Sequence, residues 1–430
     1  MMQIIKYPEQ STWAEILKRP TNNYNALREQ VVDILLDIKK NGDKALKYYA
    51  EKFDDVTLSD LAVSAKEWER ANTVTSELKQ AIGNAIQNIR LFHTAQVEQV
   101  VKIETKPGVE CWRKSVAIEK VGLYIPGGTA PLFSTLLMLA IPAMLAGCKD
   151  IIICTPPDKN GNIPAAILFV AKELGLTQLY KVGGAQAIAA MAYGTDTIPQ
   201  VYKIFGPGNN YVTCAKMLVS AEGTAIDMPA GPSEVAILAD GSAAPAYIAA
   251  DLLSQAEHGM DSQVLLVCNS RETINDVIAC LEIQIDALPR KSIAQKALAN
   301  SKAILVNNLD EGMQILNEYA PEHLIISCEN AETIAEQVIN AGSVFLGKYS
   351  PESAGDYASG TNHTLPTNGF AKTYSGVSLD SFVKKITFQK LSKSGLKLIG
   401  DTVKEMALAE GLYAHANAIT IRTNKAYETI

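Results

Sequence analysis

A glutamate and a histidine are neighbours at Glu322 and His323, in the segment YAPEHL that precedes the apolar run LIIS. Neighbouring residues at the edge of a strand point in opposite directions. We therefore predict that the two side chains act in separate steps, one activating water and the other removing a proton from an alcohol. The alternative is structural: a solvated glutamate and a packed histidine at the start of a strand.

A second segment, SQAEHG, closes a predicted helix with Gln255 and His258 three residues apart on one face. The pair could supply an oxygen and a nitrogen to a divalent metal ion, or His258 could interact only with the helix dipole. Together with Asp356 and His415 it forms a donor set without thiolates, which suits Zn²⁺ and would admit Mn²⁺ or Co²⁺. Glu410 and His415 on the C-terminal segment could also be simple surface groups, because spacing does not show that these residues converge.

Three turns that contain glycine follow predicted strands: YIPGG at 124–128, GGAQ at 183–186 and FGPGNNY at 205–211. Glycine lets a backbone approach a phosphate, and a helix N-terminus favours its charge. The dinucleotide fingerprint G-x-G-x-x-G is incomplete, because Tyr211 stands where the third glycine would be. Each turn alone could be a plain βα connection, but three from one block favour a shared ligand crevice.

The elements that must position these residues alternate along the chain from about residue 119. Short apolar or β-branched runs are separated by alanine-rich helical stretches, which predicts βαβ units and parallel sheets. Two such blocks predict an α/β fold with two Rossmann-like α/β/α domains facing each other across a cleft. The polar loop 356–372 is rich in Gly, Thr and Asn and is typical of a functional loop. The predicted strands are 118–125, 150–155, 178–183 and 201–206 in the first block, and 234–240, 262–268, 302–307 and 323–327 in the second.

Four regions are predicted from these patterns. Residues 1–22 form an N-terminal docking arm, and residues 121–233 form a nucleotide-binding domain with an incomplete Rossmann fingerprint. Residues 23–120, which show helical spacing, join residues 234–378 in the catalytic domain that carries the metal-ligand candidates. Residues 379–430 form a charged, helical C-terminal tail.

Composition limits the class of protein. The chain has 430 residues, 47% hydrophobic and 20% charged, with a net charge of -7. This is typical of a globular enzyme and argues against binding to nucleic acid or anionic membranes. The seven cysteines include no C-x-x-C pair, which predicts a reducing compartment without disulfides, thiolate zinc or a cysteine nucleophile. Lys6, Glu9 and Glu15 stand where a signal peptide would be apolar. Pro and Gly interrupt the uncharged segment 121–148, which is therefore too broken to span a membrane. We therefore predict a cytoplasmic protein.

Eight strings, in one order from about Val121 to His415, resemble the histidinol dehydrogenase family. They are VGLYIPGGTAPLFST, VGGAQAIAAMAYGT, KIFGPGNNYV, IDMPAGPSEV, DLLSQAEHG-x-DSQV, YAPEHL, SAGDYASGTNHTLPT and EGLYAHA. The resemblance implies an aldehyde dehydrogenase-like fold with NAD bound by the 121–233 domain. It also implies a four-electron oxidation of L-histidinol to L-histidine through L-histidinaldehyde, the last step of histidine biosynthesis.

The resemblance also implies roles for individual residues. It implies one Zn²⁺ per subunit, held by Gln255, His258, Asp356 and His415, with His415 coming from the partner subunit of a homodimer. Glu322 and His323 match the acid–base pair. The implied NAD contacts are Tyr124, Gln186 and Asn209, and the implied substrate contacts are Ser233, Gln255, His258, His323, Asp356, His363, Glu410 and His415.

Other functions are weighed against this one. A related oxidoreductase acting on a different amino or sulfonated alcohol would keep His258 and His415 while Glu410 or His363 would vary. A zinc hydrolase using Glu322 to activate water leaves the three glycine-containing turns without a role. A metal-binding or assembly protein has no use for the adjacent Glu322 and His323.

Overall fold

Buried runs of β-branched residues form the strands of two parallel sheets in this computed structural model, which describes residues 2–19, 24–127 and 132–424. The chain divides into two units: Met1–Gln96 with Ile118–Phe382, and Val97–Ala117 with Val383–Ile430. Both parallel sheets belong to the first unit.

Within the described residues the strands are β1 (Gln3–Lys6), β2 (Lys102–Lys106), β3 (Val109–Ala117), β4 (Lys120–Tyr124), β5 (Asp150–Thr155), β6 (Leu179–Lys181), β7 (Lys203–Phe205), β8 (Ala225–Ile226), β9 (Glu234–Ala239), β10 (Gln263–Cys268), β11 (Lys302–Leu305), β12 (His323–Ser327), β13 (Ser343–Leu346) and β14 (Val383–Leu391).

The α-helices in the same residues are α1 (Trp13–Ile16), α2 (Tyr24–Asp54), α3 (Ala65–Trp68), α4 (Ser76–Thr94), α5 (Phe133–Ala146), α6 (Ala165–Glu173), α7 (Gly184–Tyr193), α8 (Asn210–Ala221), α9 (Pro245–Ala256), α10 (Arg271–Gln284), α11 (Lys291–Ala299), α12 (Leu309–Tyr319), α13 (Ala331–Ala335), α14 (Glu352–Tyr357), α15 (Lys393–Ala409) and α16 (Tyr413–Thr423). Short 3-10 turns cover Gln10–Thr12, Glu69–Thr73, Ile285–Ala287, Phe370–Lys372 and Leu379–Phe382.

The five-stranded sheet has the order β6-β5-β4-β7-β8, and every pairing in it is parallel. Its strands are almost wholly apolar because helices cover both faces. Ile152 and Cys154 pack on one face with α2, α7 and α8, and Ile151 and Ile153 pack on the other with α4, α5 and α6. This is the three-layer α/β/α arrangement expected for residues 121–233.

Helices α2 and α4 therefore belong to the core of the five-stranded sheet. From the sequence we group residues 23–120 with 234–378, which contain most strands of the six-stranded sheet. The apolar faces of α2 and α4 instead cover the five-stranded sheet. Val31, Ile34 and Ile38 of α2 and Ile82 and Ile89 of α4 are all buried there. The predicted boundaries near residues 22, 121, 233 and 378 remain predictions.

The six-stranded sheet has the order β1-β11-β10-β9-β12-β13 and is also parallel throughout. Its outer strand β1 comes from the N-terminal arm and pairs with β11. Trp13 and Leu17 of the same arm pack into the core beside α12. The described part of the arm is thus held to this sheet through backbone pairing and apolar contacts. Together the two parallel sheets confirm the α/β fold class.

The second unit contains an antiparallel sheet, β14-β3-β2, followed by α15 and α16. The helical structure predicted for residues 23–120 and 379–430 is wrong for 102–117 and 383–391, which contain these strands. These strands are half-exposed or exposed, so their sequence carries little apolar signal. Their pairing also joins distant residues, such as Ile386 with Lys114.

The uncharged segment 121–148 forms β4 and α5, in agreement with its interpretation as a buried βα unit. Gly128, in the turn after β4, lies outside the described residues. Among the residues that the structure does describe, no helix combines the length and apolar character needed to cross a bilayer.

Candidate active site

A cavity of about 330 Å³ lies between the two parallel sheets of the first unit. Its walls come from loops after the carboxyl ends of β4 and β7 and from residues at the amino ends of β9, β10 and β12. The glycine-containing turns lie at the carboxyl ends of strands in the five-stranded sheet, as expected. Glu322 and His323 instead lie at the amino end of β12. The cavity brings together many of the predicted site residues, namely Asn209, Ser233, Gln255, His258, Glu322, His323, Asp356 and His363.

Glu322 and His323 are placed by the turn between α12 and β12. Helix α12 ends at Tyr319 and is capped by Ala320, whose φ of 53° is left-handed, and Pro321 follows before the strand begins. His323 then pairs in parallel register with Val235 of β9. Glu322 is 6% exposed and His323 is 3% exposed. The chain reversal therefore delivers both side chains into a buried part of the cavity.

The backbone of Glu234, the first residue of β9, holds both members of the pair. Its N–H donates to Glu322 Oε2 at 2.8 Å, and its carbonyl lies 3.0 Å from His323 Nδ1. A proton on Nδ1 is donated to that carbonyl, which leaves the lone pair of the imidazole on Nε2. His323 Nε2 has no hydrogen-bond partner among the described residues. This tautomer is the one that a proton acceptor in the cavity requires.

Negative charge is concentrated around His323. Burial lowers the pKa of His323, but the carboxylates of Glu322, Asp356 and Glu352 outweigh burial and raise it to about 10. Burial raises the pKa of Glu322 to about 8, against the opposing effect of His323, and that of Glu352 also to about 8. The nearest ion-pair distances are 3.6 Å from His323 Nδ1 to Glu322 Oε2 and 3.5 Å from Nε2 to Asp356 Oδ1. Without a cation in the cavity these carboxylates favour the protonated imidazole. A bound cation would offset their charge and favour the neutral imidazole, which can accept a proton at Nε2.

Two of the predicted metal ligands present oxygen atoms that have no partner. Gln255 is 1% exposed, and neither its Oε1 nor Asp356 Oδ1 makes a hydrogen bond within the described residues. The amide nitrogen of Gln255 lies 3.3 Å from His323 Nδ1, whose proton already points to a carbonyl. His258 follows the end of α9 and lines the same cavity. These oxygen and nitrogen donors fit a zinc ion.

The described residues of one chain do not complete a metal site by themselves. They contain no group of three or more His, Cys, Asp and Glu side chains that could hold a metal ion. Gln255 contributes an amide, and the resemblance assigns His415 to the partner subunit. His415 in α16 and Glu410 at the end of α15 are exposed residues of the second unit, and neither lines the cavity.

His363, on the long polar loop, is fixed by two hydrogen bonds. Its Nδ1 lies 3.0 Å from the carbonyl of Asp356, and its Nε2 lies 3.1 Å from the hydroxyl of Thr135 on α5. Burial lowers the pKa of His363. The imidazole is therefore neutral, donating through Nδ1 and accepting through Nε2.

A second cavity of about 1210 Å³ adjoins the first and contains Tyr124, Gln186 and Asn209. Pro126, Gly208 and Asn209 line both cavities. The three predicted NAD contacts thus lie together, beside the acid–base pair. The glycine-containing turns after β4, β6 and β7 form one crevice, as expected.

The turn after β7 is held by a buried ion pair. Lys216 Nζ contacts Asp227 and also donates to the carbonyl of Gly206 at 2.9 Å, while Asp227 accepts from the N–H of Gly206 at 2.8 Å. Gly206 has a φ of 129°, and a Cβ there would lie 2.1 Å from the carbonyl oxygen of Tyr124. Asn209 then caps α8 by accepting from the N–H groups of Tyr211 and Val212.

Three groups near the pair are not identified from the sequence: the half-buried Arg19 and the buried Glu234 and Glu352. Arg19 and Glu234 form an ion pair, and Glu352 is buried beside His323. A signal exists for Glu234, because it is a charged residue opening the otherwise apolar run EVAILA. No comparable signal marks Arg19, in a polar arm, or Glu352, in a short helix.

A buried acid–base pair on one sheet, facing glycine-containing turns on another, defines an α/β enzyme with adjoining sites for two ligands. Comparison with known proteins narrows this class. The family model for histidinol dehydrogenase matches residues 17–423. The chain therefore belongs to the histidinol dehydrogenase family of oxidoreductases, which confirms the resemblance found in its sequence.

Individual relatives agree with this assignment. Histidinol dehydrogenase of Bacteroides thetaiotaomicron is 59% identical over 425 residues, which is 99% of each chain. That of Escherichia coli K12 is 49% identical over 414 residues, covering 95% of this chain and 94% of the relative. The crystal structure of histidinol dehydrogenase from Elizabethkingia anophelis has a TM-score of 0.95 at 53% identity and covers 98% of each chain.

The buried Lys216–Asp227 pair predicts a large loss of stability on removing one charge. Lys216→Met leaves Asp227 buried without its counter-charge and is expected to lower the free energy of unfolding by about 3–5 kcal/mol. The matched control is Lys39→Met in the exposed Lys39–Glu222 pair, with an expected loss of about 0–1 kcal/mol. Urea unfolding followed by circular dichroism measures both, and equal losses would contradict the prediction.

Proposed function

We propose that this protein oxidises L-histidinol to L-histidine in two NAD-dependent steps through L-histidinaldehyde, with zinc anchoring the substrate. The observation that carries the proposal is the convergence in one cavity of Glu322 and His323 with the unpartnered oxygens of Gln255 and Asp356. The adjoining cavity with Tyr124, Gln186 and Asn209 supports a second ligand of nucleotide size. The family membership supports histidinol as the substrate and the last step of histidine biosynthesis as the place of the reaction.

The proposed zinc ligands are Gln255, His258 and Asp356 together with His415 of the partner subunit. When bound, zinc supplies a Lewis-acidic anchor for the imidazole and amine of histidinol and so orients the alcohol carbon. Gln255 and Asp356 provide buried oxygens that make no hydrogen bond within the described residues. His363 and Ser233 line the same cavity and are proposed substrate contacts, as is Glu410.

In the first step His323 accepts the hydroxyl proton of the substrate through Nε2. The hydrogen bond from Nδ1 to the carbonyl of Glu234 keeps the lone pair on Nε2 and fixes the orientation of the ring. Tyr124, Gln186 and Asn209 would hold NAD⁺, which when bound would supply the hydride acceptor for each step. The deep position of His323 excludes water from the proton that is transferred.

In the second step Glu322 activates water that adds to the aldehyde. Burial raises the pKa of Glu322, which makes its ionised carboxylate a stronger base than an exposed one. The N–H of Glu234 directs one oxygen of the carboxylate and leaves the other available to water. A reactive aldehyde must stay bound between the steps, and the buried walls of the cavity serve that purpose.

The proposed reaction is tested directly with zinc-loaded protein, histidinol and NAD⁺. We expect two NADH formed per histidine, and we expect a chelator that removes zinc to abolish NADH formation until zinc is added back. Formation of no NADH by the zinc-loaded protein would refute the proposal.

Metal content provides a readout of the zinc site that is independent of activity. His258→Asn is expected to lower the zinc bound per subunit, measured by elemental analysis after dialysis. Glu257→Gln is the matched control, because Glu257 lies between Gln255 and His258 in sequence but does not line the cavity. Equal zinc content in both variants would exclude His258 as a ligand.

Removing the carboxylate of Glu322 is expected to impair the second step selectively. Glu322→Gln keeps the hydrogen bond from Glu234 but cannot activate water, so conversion of histidinaldehyde to histidine should fall by about 10²–10⁴-fold. Single-turnover assays with histidinaldehyde, with histidine measured by chromatography, provide the test. Glu318→Gln, at an exposed glutamate of α12, is the control and should react at the parent rate. Full conversion by Glu322→Gln would show that this role is wrong.

A homodimer with shared active sites is also proposed, because His415 and Glu410 are exposed on the second unit. His258→Asn and His415→Asn should each be inactive alone, but dimers reassembled from an equal mixture should regain about a quarter of the parent activity. The reason is that half of the dimers are hybrids, and each hybrid has one intact site. If both histidines act within one chain, mixing restores nothing.

A further inference from the structure

The two proposed acid–base residues depend on the backbone of one buried acidic residue. Glu234 presents its N–H to Glu322 and its carbonyl to His323, so its position sets both side chains. Its own side chain is 3% exposed and does not line the cavity. A buried carboxylate at this position requires a counter-charge.

That counter-charge comes from the N-terminal arm. Arg19 Nε lies 2.5 Å from Glu234 Oε1, and Arg19 Nη2 lies 2.8 Å from Oε2. The guanidinium thus makes the two-pronged pair that a carboxylate accepts from arginine but not from lysine. Through this pair the arm reaches the first residue of β9.

Arg19 also holds the turn that leads to Glu322. Its Nη2 donates to the carbonyl of Tyr319 at 2.9 Å, and its guanidinium lies 4.0 Å from the centre of the Tyr319 ring. Tyr319 is the last residue of α12, and its hydroxyl donates to Gln263 at 2.9 Å. One guanidinium therefore contacts both the end of α12, which leads to Glu322, and the start of β9, whose backbone holds Glu322 and His323.

The same carboxylate fastens the polar loop. Glu234 Oε1 accepts from the N–H of Asn368 at 3.0 Å, and Thr367 beside it accepts from the N–H of Gly231. This loop carries His363, which lines the cavity. The Arg19–Glu234 pair thus lies where three segments of the cavity wall meet.

We propose that Arg19 and Glu234 are positioning residues, which fix the backbone that aims Glu322 and His323 at the substrate. This inference rests on the acid–base roles proposed above. A displacement of about 1 Å in a catalytic group can lower a rate by about 100-fold. Loss of the pair should therefore slow the chemistry, while the groups that bind substrate, Gln255, His258 and Asp356, keep their own contacts.

Steady-state kinetics test the proposal with Arg19→Gln and Glu234→Gln. We expect kcat for histidinol to fall about 10–100-fold while KM for histidinol changes by less than about twofold. Arg19→Lys keeps the charge but not the two-pronged geometry, and should recover kcat only in part. Lys18→Gln is the matched control, since Lys18 is an exposed neighbouring cation whose removal should leave kcat unchanged.

A second control separates positioning from simple attachment of the arm. Leu17→Ala removes an apolar contact of the arm without touching Arg19, so it should lower the melting temperature and leave kcat near that of the parent at 25 °C. An Arg19→Gln enzyme with parental kcat would overturn the proposal. A loss of kcat in Leu17→Ala as large as in Arg19→Gln would also overturn it.

Crystal structures of the parent and Arg19→Gln give a readout that does not depend on the substrate. The distance from the Glu234 nitrogen to Glu322 Oε2 should lengthen from 2.8 Å, and the His323 ring should turn from the Glu234 carbonyl. An unchanged pair in the variant would refute positioning. If the parent fails to oxidise histidinol, the proposed function fails, and these structures still decide the role of Arg19.

Discussion

Several carboxylates buried around one imidazole impose the constraint on which this structure depends. Removing an ionised carboxylate from water costs several kcal/mol unless it is paired. Glu322, Glu352 and Asp356 all lie near His323, and neither Asp356 Oδ1 nor Glu352 Oε2 makes a hydrogen bond within the described residues. Within this cluster, Glu322 and His323 are held by the backbone of Glu234 in the buried parallel sheet. A cation bound in the cavity would offset the charge of these carboxylates, which is consistent with the zinc ion proposed above.

The two sheets make different contributions to the cavity. The five-stranded sheet contributes glycine-containing turns at its carboxyl edge, where the backbone can approach a ligand closely. The six-stranded sheet presents side chains at its amino edge, where β9 and β12 begin side by side. Rigid strands on both sides position the reacting groups more tightly than loops alone would.

Much of this arrangement follows from the sequence, and the exceptions have physical causes. The strand 150–155 is predicted with its observed bounds because it is a short, continuous apolar run, and Glu322 and His323 stand out by their chemistry. The antiparallel sheet of the second unit escapes prediction because its strands are largely polar and exposed, and because β14 pairs with β3 across about 270 residues of chain. Glu234 stands out as a charged residue in an apolar run, but the sequence does not show that its backbone contacts Glu322 and His323.

Pro126, Gly208 and Asn209 form a common wall between the two cavities. Any shift of this wall when one ligand enters must alter the space left for the other. Thermodynamic linkage then requires reciprocity: the factor by which the first ligand changes the affinity of the second equals the factor in the reverse direction. A wall of residues shared by both cavities would thus couple the two occupancies without any long-range change of shape.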